Sequence, residues 1–556
     1  MKKLLLAATV IVAASTIASL ADTRSSKMDI TRNLDIFNAL VKELQTLYVD
    51  SIDAEKSVNT AINAMLNNID PYTEYIPYKD QEDFMTMTSG EYAGVGSTIM
   101  QRDSWVYFTD PMEGSPAKKA GIKAGDKIVM IDNDSTKGWT TPKVSSKLKG
   151  PAGTDVRVTV HRPYVEDSVM TFTIRRAKIF QPSVPYYGML RDGVGYISLT
   201  SFIDKSPDEI KDALTALKKE PGLKALVLDL RGNGGGLLES AVKILGYFVP
   251  KGTEVLRTRG KGVMNERVYK TSGAPIDTDI PMMVLVDGGT ASAAEIVSGA
   301  LQDLDRAVIV GERSFGKGLV QTTRELPYDG MLKVTTAKYY IPSGRLIQAI
   351  DYSHRNPDGS VGRIPDSLTS VFHTAGGREV RDGGGITPDV TIDYPDINRV
   401  TFNIVRDNWA FDFANRYAAR NASIPAPEDF CITDSIYAEF KQFIDPSRFQ
   451  YDKVCEDGLK ALRDIAKQEG YMNDSTKAQF DRLETMLKHD LQHDLDINRK
   501  AIEPYLASEI ANRYYSTRGE VIQTLKTDPA IDTVITILND PARYNKILAP
   551  VKKNKK

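Results

Sequence analysis

The sequence predicts a multidomain α/β protein with a mixed-sheet core, a β-rich domain before it and helical regions at both ends. From about residue 179 to 397, apolar runs of strand length alternate with amphipathic runs of helix length, which is typical of a buried sheet covered by helices. Residues 90–178 contain short strand-like runs broken by glycine turns, whereas residues 22–89 and 398–556 show helical spacing of apolar residues. With 556 residues, the chain has room for three or four such domains.

Residues 1–21 have the pattern of an export signal. Lys2 and Lys3 precede an apolar run from Leu4 to Ala21 that ends in small residues. A run of about eighteen residues could also stay uncleaved as a membrane anchor. We therefore expect an exported protein, with membrane contact only if the leader is kept.

Residues 22–89 are predicted to be helical, with a break at Asp70-Pro71. One face of the first helix carries the larger apolar side chains, which are Ile36, Leu40, Val41, Leu44 and Leu47.

Residues 90–178 are predicted to contain short strands, a glycine loop and a helix. Gly94, Val95 and Gly96 form the loop before a strand, and Thr141–Leu148 is predicted to be the helix, with Val144 and Leu148 inward. This arrangement resembles a PDZ domain. Such a domain holds a carboxy-terminal carboxylate on the loop amides while the peptide adds as a strand beside the helix. These five residues are therefore expected to bind protein or peptide C-termini; taken alone, the glycine pair would indicate only a bulge.

Within residues 179–397 the core alternates strands and helices. A helix is predicted after Ser206, with Ile210, Leu214 and Leu217 inward. Four apolar runs predict strands of a mostly buried sheet: Val194–Leu199, Ala225–Leu230, Met282–Val286 and Ala307–Val310.

Ser292 lies where a strand changes to a helix. Met282–Val286 halts at a glycine-containing turn, and the next helix begins near Ser292. One interpretation is a capping box, because Glu295 stands three residues later. The other is a nucleophile exposed at a sharp turn, with the Ala293 amide available to an oxyanion.

Lys317 favours the second interpretation. It stands between two glycines and beside Phe315, Leu319 and Val320, whose apolar side chains would desolvate the ammonium and lower its pKa. A neutral lysine within reach of a serine can remove its proton, which is the Ser-Lys form of nucleophilic catalysis. Further oxyanion donors are expected from the glycine turn after Ala225–Leu230, at Gly235 and Gly236.

Three ordered motifs carry a resemblance to carboxy-terminal processing, or tail-specific, serine peptidases. They are LDLRGNGGG at 228–236, GGTASAAEIVSGALQD at 288–303 and GERSFGKGLVQ at 311–321. The resemblance implies a peptidase core of that type at residues 179–397. It also implies that the helical segment near the amino terminus helps to form dimers or shields the site, so a homo-oligomer is an expectation.

The same resemblance assigns roles to single residues. It implies Ser292 as the nucleophile, Lys317 as the base and Gln321 as the group that orients the lysine. Thr290 stands where the family usually has a serine. Gln321 reaches Lys317 easily on a turn but not along an extended strand of about 13 Å, so we predict a turn at this place.

Asp303 matches an aspartate sometimes described as a third member of the family's site. It follows Ser292 by eleven residues, about three helical turns, so direct contact is not expected and a structural role is preferred.

The resulting hypothesis is an exported serine endopeptidase without a cofactor. It would recognise C-termini through the PDZ-like domain, cleave by a Ser-Lys mechanism and possess no metal. Because one chain carries both parts, a further hypothesis is that the PDZ-like domain gates the site, so that the site assembles only when a tail is bound. One alternative is a non-catalytic scaffold that only binds C-termini, and another is acyl-thioester chemistry on a similar oxyanion-hole fold.

The charge balance and the incomplete motifs argue against binding of nucleic acid, nucleotides or metals. Lys and Arg total 71 against 73 Asp and Glu, so nucleic acid is not an expected partner. Gly311–Lys317 spells G-x-x-x-x-G-K, but Gly318 replaces the Ser or Thr of a nucleotide-binding loop. His489 and His493 have i, i+4 spacing without a third ligand, which favours a solvated helix face.

Residues 398–556 are charged and helical. Phe480, Leu483, Leu487 and Leu491 form a predicted stripe, which core packing or a subunit interface would explain equally. Cys431 and Cys455 could pair in an exported protein, although two thiols alone do not establish a disulfide.

Overall fold

A computed structural model describes residues 29–262, 265–352, 355–356 and 360–550. The predicted leader at residues 1–21 lies outside this part of the chain. The described chain forms two compact units, one with the residues up to Tyr78 and Gln321–Thr335, the other with Lys79–Val320 and the residues from Thr336 onward. None of the helices in the described ranges combines the length and apolarity needed to cross a membrane.

The helices are numbered in chain order. They are α1 (residues 29–47), α2 (Ala54–Asn67), α3 (Gln81–Ser89), α4 (Pro116–Ala120), α5 (Thr141–Leu148), α6 (Ser206–Leu217), α7 (Leu238–Leu245), α8 (Ala293–Asp303), α9 (Arg399–Arg406), α10 (Trp409–Arg420), α11 (Asp434–Phe443), α12 (Val454–Gln468), α13 (Asp474–Leu487), α14 (Leu491–Ile497), α15 (Arg499–Leu525), α16 (Pro529–Leu538) and α17 (Pro541–Ile547).

The strands are numbered in the same way. They are β1 (Glu74–Ile76), β2 (Glu91–Gly94), β3 (Ser97–Arg102), β4 (Trp105–Pro111), β5 (Lys127–Ile131), β6 (Asp134–Ser135), β7 (Asp155–His161), β8 (Val169–Arg175), β9 (Ala177–Phe180), β10 (Tyr186–Met189), β11 (Val194–Ser198), β12 (Ala225–Asp229), β13 (Glu254–Gly260), β14 (Glu266–Lys270), β15 (Met282–Val286), β16 (Val308–Gly311), β17 (Leu319–Leu326), β18 (Gly330–Tyr340), β19 (Val371–His373), β20 (Glu379–Arg381) and β21 (Val390–Thr391).

The smaller unit contains α1, α2 and β1, with the outer parts of β17 and β18. β1 pairs antiparallel with β18, and Glu74 lies opposite Lys333. The apolar face predicted for the first helix is not buried in this structure, since Leu40 and Leu44 of α1 are 51% and 45% exposed. The break predicted at Asp70-Pro71 is confirmed, because the Asp70 carboxylate accepts the amides of the two residues after Pro71 and so forms a turn.

Residues 91–180 form the β-rich part of the larger unit. A sheet in the order β3-β4-β5-β7-β8, with β6 beside β5, leaves β3 at its edge, and β2 pairs separately with β9. Helix α5 has the predicted bounds, and its Val144 and Leu148 are buried in the core of this part. The edge strand and α5 are the two elements that a PDZ domain uses to hold a peptide.

The central sheet has the order β10-β11-β12-β15-β16-β21 and is parallel except for β10. The four predicted core strands are confirmed to within one residue at each end. Their side chains are apolar on both faces because both faces are covered. Helices α6, α7 and α8 pack on one face, while α16, α17 and the end of α15 pack on the other.

Residues after 398 are mainly helical. Helices α9, α10, α11, α14 and α15 share a second apolar core around Phe413 and Phe440. The predicted stripe at residues 480–491 is wrong as one continuous face, since α13 ends at Leu487 and α14 begins at Leu491. Cys431 and Cys455 are both exposed and unbonded.

Candidate active site

Ser292 lies in the sharp connection between β15 and α8. Its backbone has φ 57° and ψ −117°, a conformation that costs an L-residue steric strain and occurs mostly where function requires it. The side chain is half-buried, while the residues on either side of it are buried. The Asp287 carboxylate stabilises the preceding turn by accepting the amides of Gly289 and Thr290. The structure therefore places the half-buried serine in the connection that follows the carboxyl end of β15.

Glu295 links the backbone of Ser292 to the backbone of Lys317. Its Oε2 accepts the Ser292 amide at 2.9 Å and the Lys317 amide at 2.8 Å. Its Oε1 accepts the Ser314 hydroxyl at 2.5 Å and the Gly316 amide at 2.7 Å. The side chain is fully buried, and this desolvation raises the pKa of Glu295 to about 7, although all four hydrogen bonds oppose the rise.

Tyr339 makes a second link between the same two residues. Its hydroxyl lies 3.1 Å from the Ser292 carbonyl oxygen and 2.5 Å from the Lys317 carbonyl oxygen. A hydroxyl has one hydrogen, so it donates to one of the two carbonyls at a time. Tyr339 is 1% exposed and packs in the core under α8, which keeps its hydroxyl at this place.

Sequence reasoning missed the roles of Glu295 and Tyr339. Glu295 was recognised only as the partner of Ser292 in a capping box, and the S-x-x-E signal does not indicate contacts to a segment some twenty residues further on. Tyr339 carries no local signal, because a tyrosine in a strand is ordinary core sequence.

Lys317 lies in an irregular segment that leads into β17, and its side chain is half-buried. The predicted apolar wall is present only in part. Leu319 is 8% exposed and Val320 packs on the core, but Phe315 is 36% exposed, so its inclusion in a closed wall is not supported.

The glycine turn after β12 approaches Ser292 closely. Gly235 has φ +99°, and a Cβ at this position would lie 2.7 Å from the Ser292 Cβ and 2.9 Å from the Ala293 nitrogen. Only glycine fits such an approach. The Gly235 amide donates to Asn233 Oδ1 at 2.8 Å, however, so it is not available to an oxyanion. The expectation of a donor at Gly235 therefore needs correction: its contribution is the close approach.

Ala293 and Gly236 remain as candidates for the predicted oxyanion donors. Within the ranges that the structure describes, neither amide has an acceptor. The Ala293 amide is free because it belongs to the first turn of α8, where no preceding helical carbonyl exists. Gly236 is exposed, and the residues before and after it are held by Phe202, whose amide donates to the Gly235 carbonyl and whose carbonyl accepts the Leu237 amide.

Gln321 lies in β17, so the prediction of a turn at this place is wrong. Its side-chain amide donates to Thr335 Oγ1 at 3.2 Å in the smaller unit. The local sequence after Gly318 is rich in β-branched residues, which favour an extended strand over a turn. A role for Gln321 in orienting the lysine stays a prediction.

Asp303 ends α8, opposite to the end at which Ser292 stands. Eleven residues of helix correspond to roughly 16 Å, too far for contact with Ser292. Its carboxylate is 2.9 Å from Arg345 Nη2 and also accepts the Ser343 amide at 2.9 Å. Burial raises the pKa of Asp303 against the effect of Arg345. These contacts describe a structural ion pair.

The PDZ-like groove lies between β3 and α5. A cavity of about 80 Å³ is lined by Val95, Gly96, Ile99 and Leu148, among others, whereas Val144 is fully buried behind it. The carbonyls of Val95 and Gly96 accept the amides of Ala117 and Met112. Their own amides have no acceptor among the described residues, so they can receive a carboxylate.

Gly94 differs from the next two residues of the loop. It is paired with Ala177 in the β2–β9 ladder, so it anchors the loop and is not grouped with Val95 and Gly96 as an open donor.

Metal binding is not indicated in the described part of the chain, where no group of three His, Cys, Asp or Glu has suitable proximity. The i, i+4 relation of His489 and His493 does not place them on one helix, because α13 ends before His489 and α14 begins after it. His489 Nδ1 is instead 3.2 Å from Glu456.

Comparison with known proteins identifies a serine peptidase that contains a PDZ domain. The model of peptidase family S41 matches residues 193–361, a PDZ domain model matches 107–162, and the model of the C-terminal helical domain of probable PDZ-proteases matches 400–538. The chain belongs to the carboxy-terminal processing peptidases of family S41.

Individual relatives agree with this membership. The carboxy-terminal-processing protease of Bartonella bacilliformis is 34% identical over 363 residues, which cover 65% of this chain and 82% of the relative. A probable CtpA-like serine protease of Staphylococcus aureus is 32% identical over 473 residues, covering 82% and 83%. Among solved structures, a photosystem II D1 C-terminal processing protease is 30% identical, covers 62% of this chain and 84% of its own, and has a TM-score of 0.35.

Proposed function

We propose that Ser292 and Lys317 form the Ser-Lys dyad of an endopeptidase that recognises its substrates by their C-termini. The observation that carries this proposal is the shared acceptor at Glu295 Oε2, because one buried oxygen holds the backbones of both residues at 2.9 and 2.8 Å. A capping interaction alone would need only the contact to Ser292. The additional contact to the lysine indicates that the two residues act together.

The chemistry follows the acyl-transfer pattern. The neutral Lys317 amine takes the Ser292 hydroxyl proton as Oγ attacks the scissile carbonyl carbon, and the resulting oxyanion accepts the Ala293 and Gly236 amides. Collapse of the tetrahedral intermediate breaks the C–N bond, and the Lys317 ammonium returns the proton to the leaving amine. Water then attacks the acyl-enzyme with the same lysine as base, which releases the second product and restores the hydroxyl.

Recognition of the tail uses the groove of the PDZ domain. A terminal carboxylate would accept the Val95 and Gly96 amides, and the peptide backbone would pair with the free edge of β3. The small volume of the cavity, about 80 Å³, favours a small apolar terminal side chain. The charge of the carboxylate gives this recognition a simple chemical test.

Two paired variants test the dyad. Ser292→Ala and Lys317→Arg should abolish cleavage of an unfolded protein with a small apolar tail, since arginine keeps its charge and cannot act as a base. Ser298→Ala, in the same helix, and Lys338→Arg, exposed on β18, are the matched controls and should leave cleavage intact. Cleavage by Ser292→Ala at the normal rate would contradict the assignment. If Ser292→Ala bound the tail but wild type did not cleave, the alternative of a binding scaffold would hold.

A pair of substrates tests tail recognition without altering the enzyme. The same peptide is prepared with a free C-terminal carboxylate and with a C-terminal carboxamide. The amide form should raise KM about tenfold or more with a smaller effect on kcat, because only binding to the Val95 and Gly96 amides is weakened. Equal KM for both peptides would exclude recognition of the carboxylate.

We also propose export to the periplasm or cell envelope of a bacterium, which the pattern of residues 1–21 supports. Fractionation of cells, with mass spectrometry of the mature amino terminus, tests this proposal. Recovery of the intact leader in the cytosol would contradict it.

A further inference from the structure

Gly236, one of the two proposed oxyanion donors, stands on a turn that needs external support. Residues 231–236 include four glycines, and glycine restricts the backbone less than any other residue. Two supports come from the peptidase core itself. The Asn233 side chain accepts the Gly235 amide and donates to the Leu199 carbonyl at 2.7 Å, and Phe202 holds the far end of the turn.

The near end of the turn is held by an ion pair. Asp229, the last residue of β12, accepts the Arg231 amide at 3.0 Å and the Arg231 guanidinium at 2.6 Å. Asp229 also accepts the Tyr196 hydroxyl at 2.8 Å, which fixes the carboxylate in the sheet. The position of Arg231 is therefore coupled to the start of the glycine turn.

Asp528 completes this cluster from the C-terminal helical region. Its Oδ2 lies 2.7 Å from Arg231 Nη1, on the side of the guanidinium that Asp229 leaves uncovered. The side chains of Asp528, Asp229 and Arg231 are 5%, 7% and 20% exposed. Burial alone would lower the pKa of Arg231, but Asp229 and Asp528 outweigh this effect and raise it. Arg231 thus stays charged and bound between two carboxylates.

The placement of Asp528 is itself rigid. It is the N-cap of α16, and its Oδ1 accepts the Ala530 amide at 2.9 Å. Helix α16 packs Ile531, Val534 and Ile535 against the face of the central sheet that carries Val227 and Leu285. A carboxylate so placed gives the Nη1 end of the Arg231 guanidinium a fixed partner, as Asp229 does for Nε and Nη2.

We propose that Asp528 is a positioning residue for catalysis, which acts through Arg231 on the glycine turn that presents the oxyanion donor Gly236. In this role the C-terminal helical region completes the active site. The inference rests on the proposed function, because it assumes that Gly236 and Ala293 receive the oxyanion. A motif search does not reveal this contribution, because Asp528 lies nearly three hundred residues after Arg231.

The variant Asp528→Asn isolates the ion pair. Asparagine caps a helix as well as aspartate does, so α16 keeps its first turn, while the charge opposite Arg231 is removed. The matched control is Asp540→Asn, since Asp540 is the exposed N-cap of α17 and caps the Arg543 amide at 3.1 Å. Both variants lose one aspartate charge at a helix start, but only one of them faces Arg231.

Three measurements separate positioning from a loss of folded protein. Titration with a serine-reactive fluorophosphonate counts the competent sites, and kcat is expressed per site. For Asp528→Asn we expect kcat to fall about tenfold or more with KM unchanged, and binding of a peptidyl boronate to weaken by a similar factor. Affinity for a tail peptide, read by fluorescence anisotropy, should stay the same. Asp540→Asn should behave as wild type in all three.

A double-variant cycle tests whether the effect passes through Arg231. In an Arg231→Ala background, Asp528→Asn should cause little additional loss of kcat. Full additivity, or a wild-type kcat per site for Asp528→Asn, would overturn the inference. If Asp528→Asn reduced only the number of competent sites, the role would be structural and the inference would be wrong. Cleavage by Ser292→Ala in the same assay would instead contradict the proposed function.

Discussion

The amides of Ser292 and Lys317 donate to the same oxygen of one buried carboxylate, at 2.9 and 2.8 Å. The two residues are twenty-five positions apart and belong to different elements, so this shared acceptor fixes a distance that neither element determines alone. The Tyr339 hydroxyl, within 3.1 and 2.5 Å of the Ser292 and Lys317 carbonyl oxygens, makes a second link between the same two residues. Preorganisation of this kind would lower the cost of bringing the proposed nucleophile and base together.

Replacement of Glu295 by glutamine should reduce kcat by on the order of a hundredfold. All four groups that contact the carboxylate are hydrogen-bond donors. The NH₂ group of glutamine is itself a donor, so it would face donors and could not replace the hydrogen bonds that the lost oxygen accepted. The free energy of unfolding should also fall by about 1–3 kcal/mol. Glu239→Gln, an exposed acid in the first turn of α7, is the control and should change neither quantity. An active Glu295→Gln enzyme would show that the shared acceptor is dispensable.

The pKa of Glu295, about 7, predicts that rising pH has opposite effects on the stability of the protein and on its activity. Between about pH 4.5, the ordinary range of the group, and pH 7 the folded state binds more protons than the unfolded state, so the stability contributed by Glu295 falls as pH rises. This contribution should be fully present, on the order of 3 kcal/mol, below about pH 4.5 and should be lost as pH rises through about 7. Only the ionised form can accept all four donors, so we expect activity to increase as Glu295 loses its proton through about pH 7.

Denaturant unfolding of wild type and Glu295→Gln from pH 4.5 to 8 measures this contribution. The stability of wild type should fall more steeply with pH than that of the variant up to about pH 7. Parallel curves for the two proteins would mean that the pKa of Glu295 is not raised in the folded state.

Removal of the Tyr339 hydroxyl should slow catalysis modestly. Tyr339→Phe keeps the buried ring but loses the hydrogen bond to the Lys317 carbonyl, so kcat should fall roughly threefold to tenfold and stability by about 1 kcal/mol. Tyr340→Phe is the neighbour control, because Tyr340 packs under the Arg259 guanidinium and faces away from the dyad. Steady-state kinetics and thermal unfolding check both. Identical losses for the two variants would argue against a specific role.

An alanine at Gly235 should abolish activity. The added Cβ would lie 2.7 Å from the Ser292 Cβ, and φ +99° is strained for alanine, so the turn and the serine must move apart. Gly234→Ala is a close control, since no atom lies within 4 Å of its added Cβ. Cleavage assays and fluorophosphonate labelling of Ser292 should show a large loss for the first variant and none for the second. Normal labelling of Gly235→Ala would contradict the close approach.

Much of the fold was predictable because its signals are local. Met282–Val286 is an uninterrupted apolar run bounded by Pro281 and Asp287, and the structure gives β15 these same bounds. Thr141–Leu148 carries its two buried residues four positions apart, and α5 follows. Fully buried strands and short amphipathic helices of this kind are determined mainly by their own side chains.

The parts that sequence did not predict depend on distant contacts. Ser292-x-x-Glu295 indicates a cap, but only the folded chain shows that Lys317 shares the same carboxylate. The turn at Gln321 was wrong because proximity to Lys317 was assumed, whereas β17 continues through this residue. Gly235 was assigned a free amide, and the side chain that occupies it, Asn233, could be recognised only once the turn was closed.

The placement of α16 and α17 changes what counts as the smallest working enzyme. Together with the end of α15, these helices cover one face of the central sheet, with Ile531, Val534 and Tyr544 in the same apolar core as Met283 and Val308. A fragment trimmed to the span of the peptidase family model would leave that face in water, and its strands, apolar on both sides, would tend to self-associate. Minimal versions of this enzyme made for biochemical work therefore have to retain the last helices, however remote they are in the chain from the reacting serine.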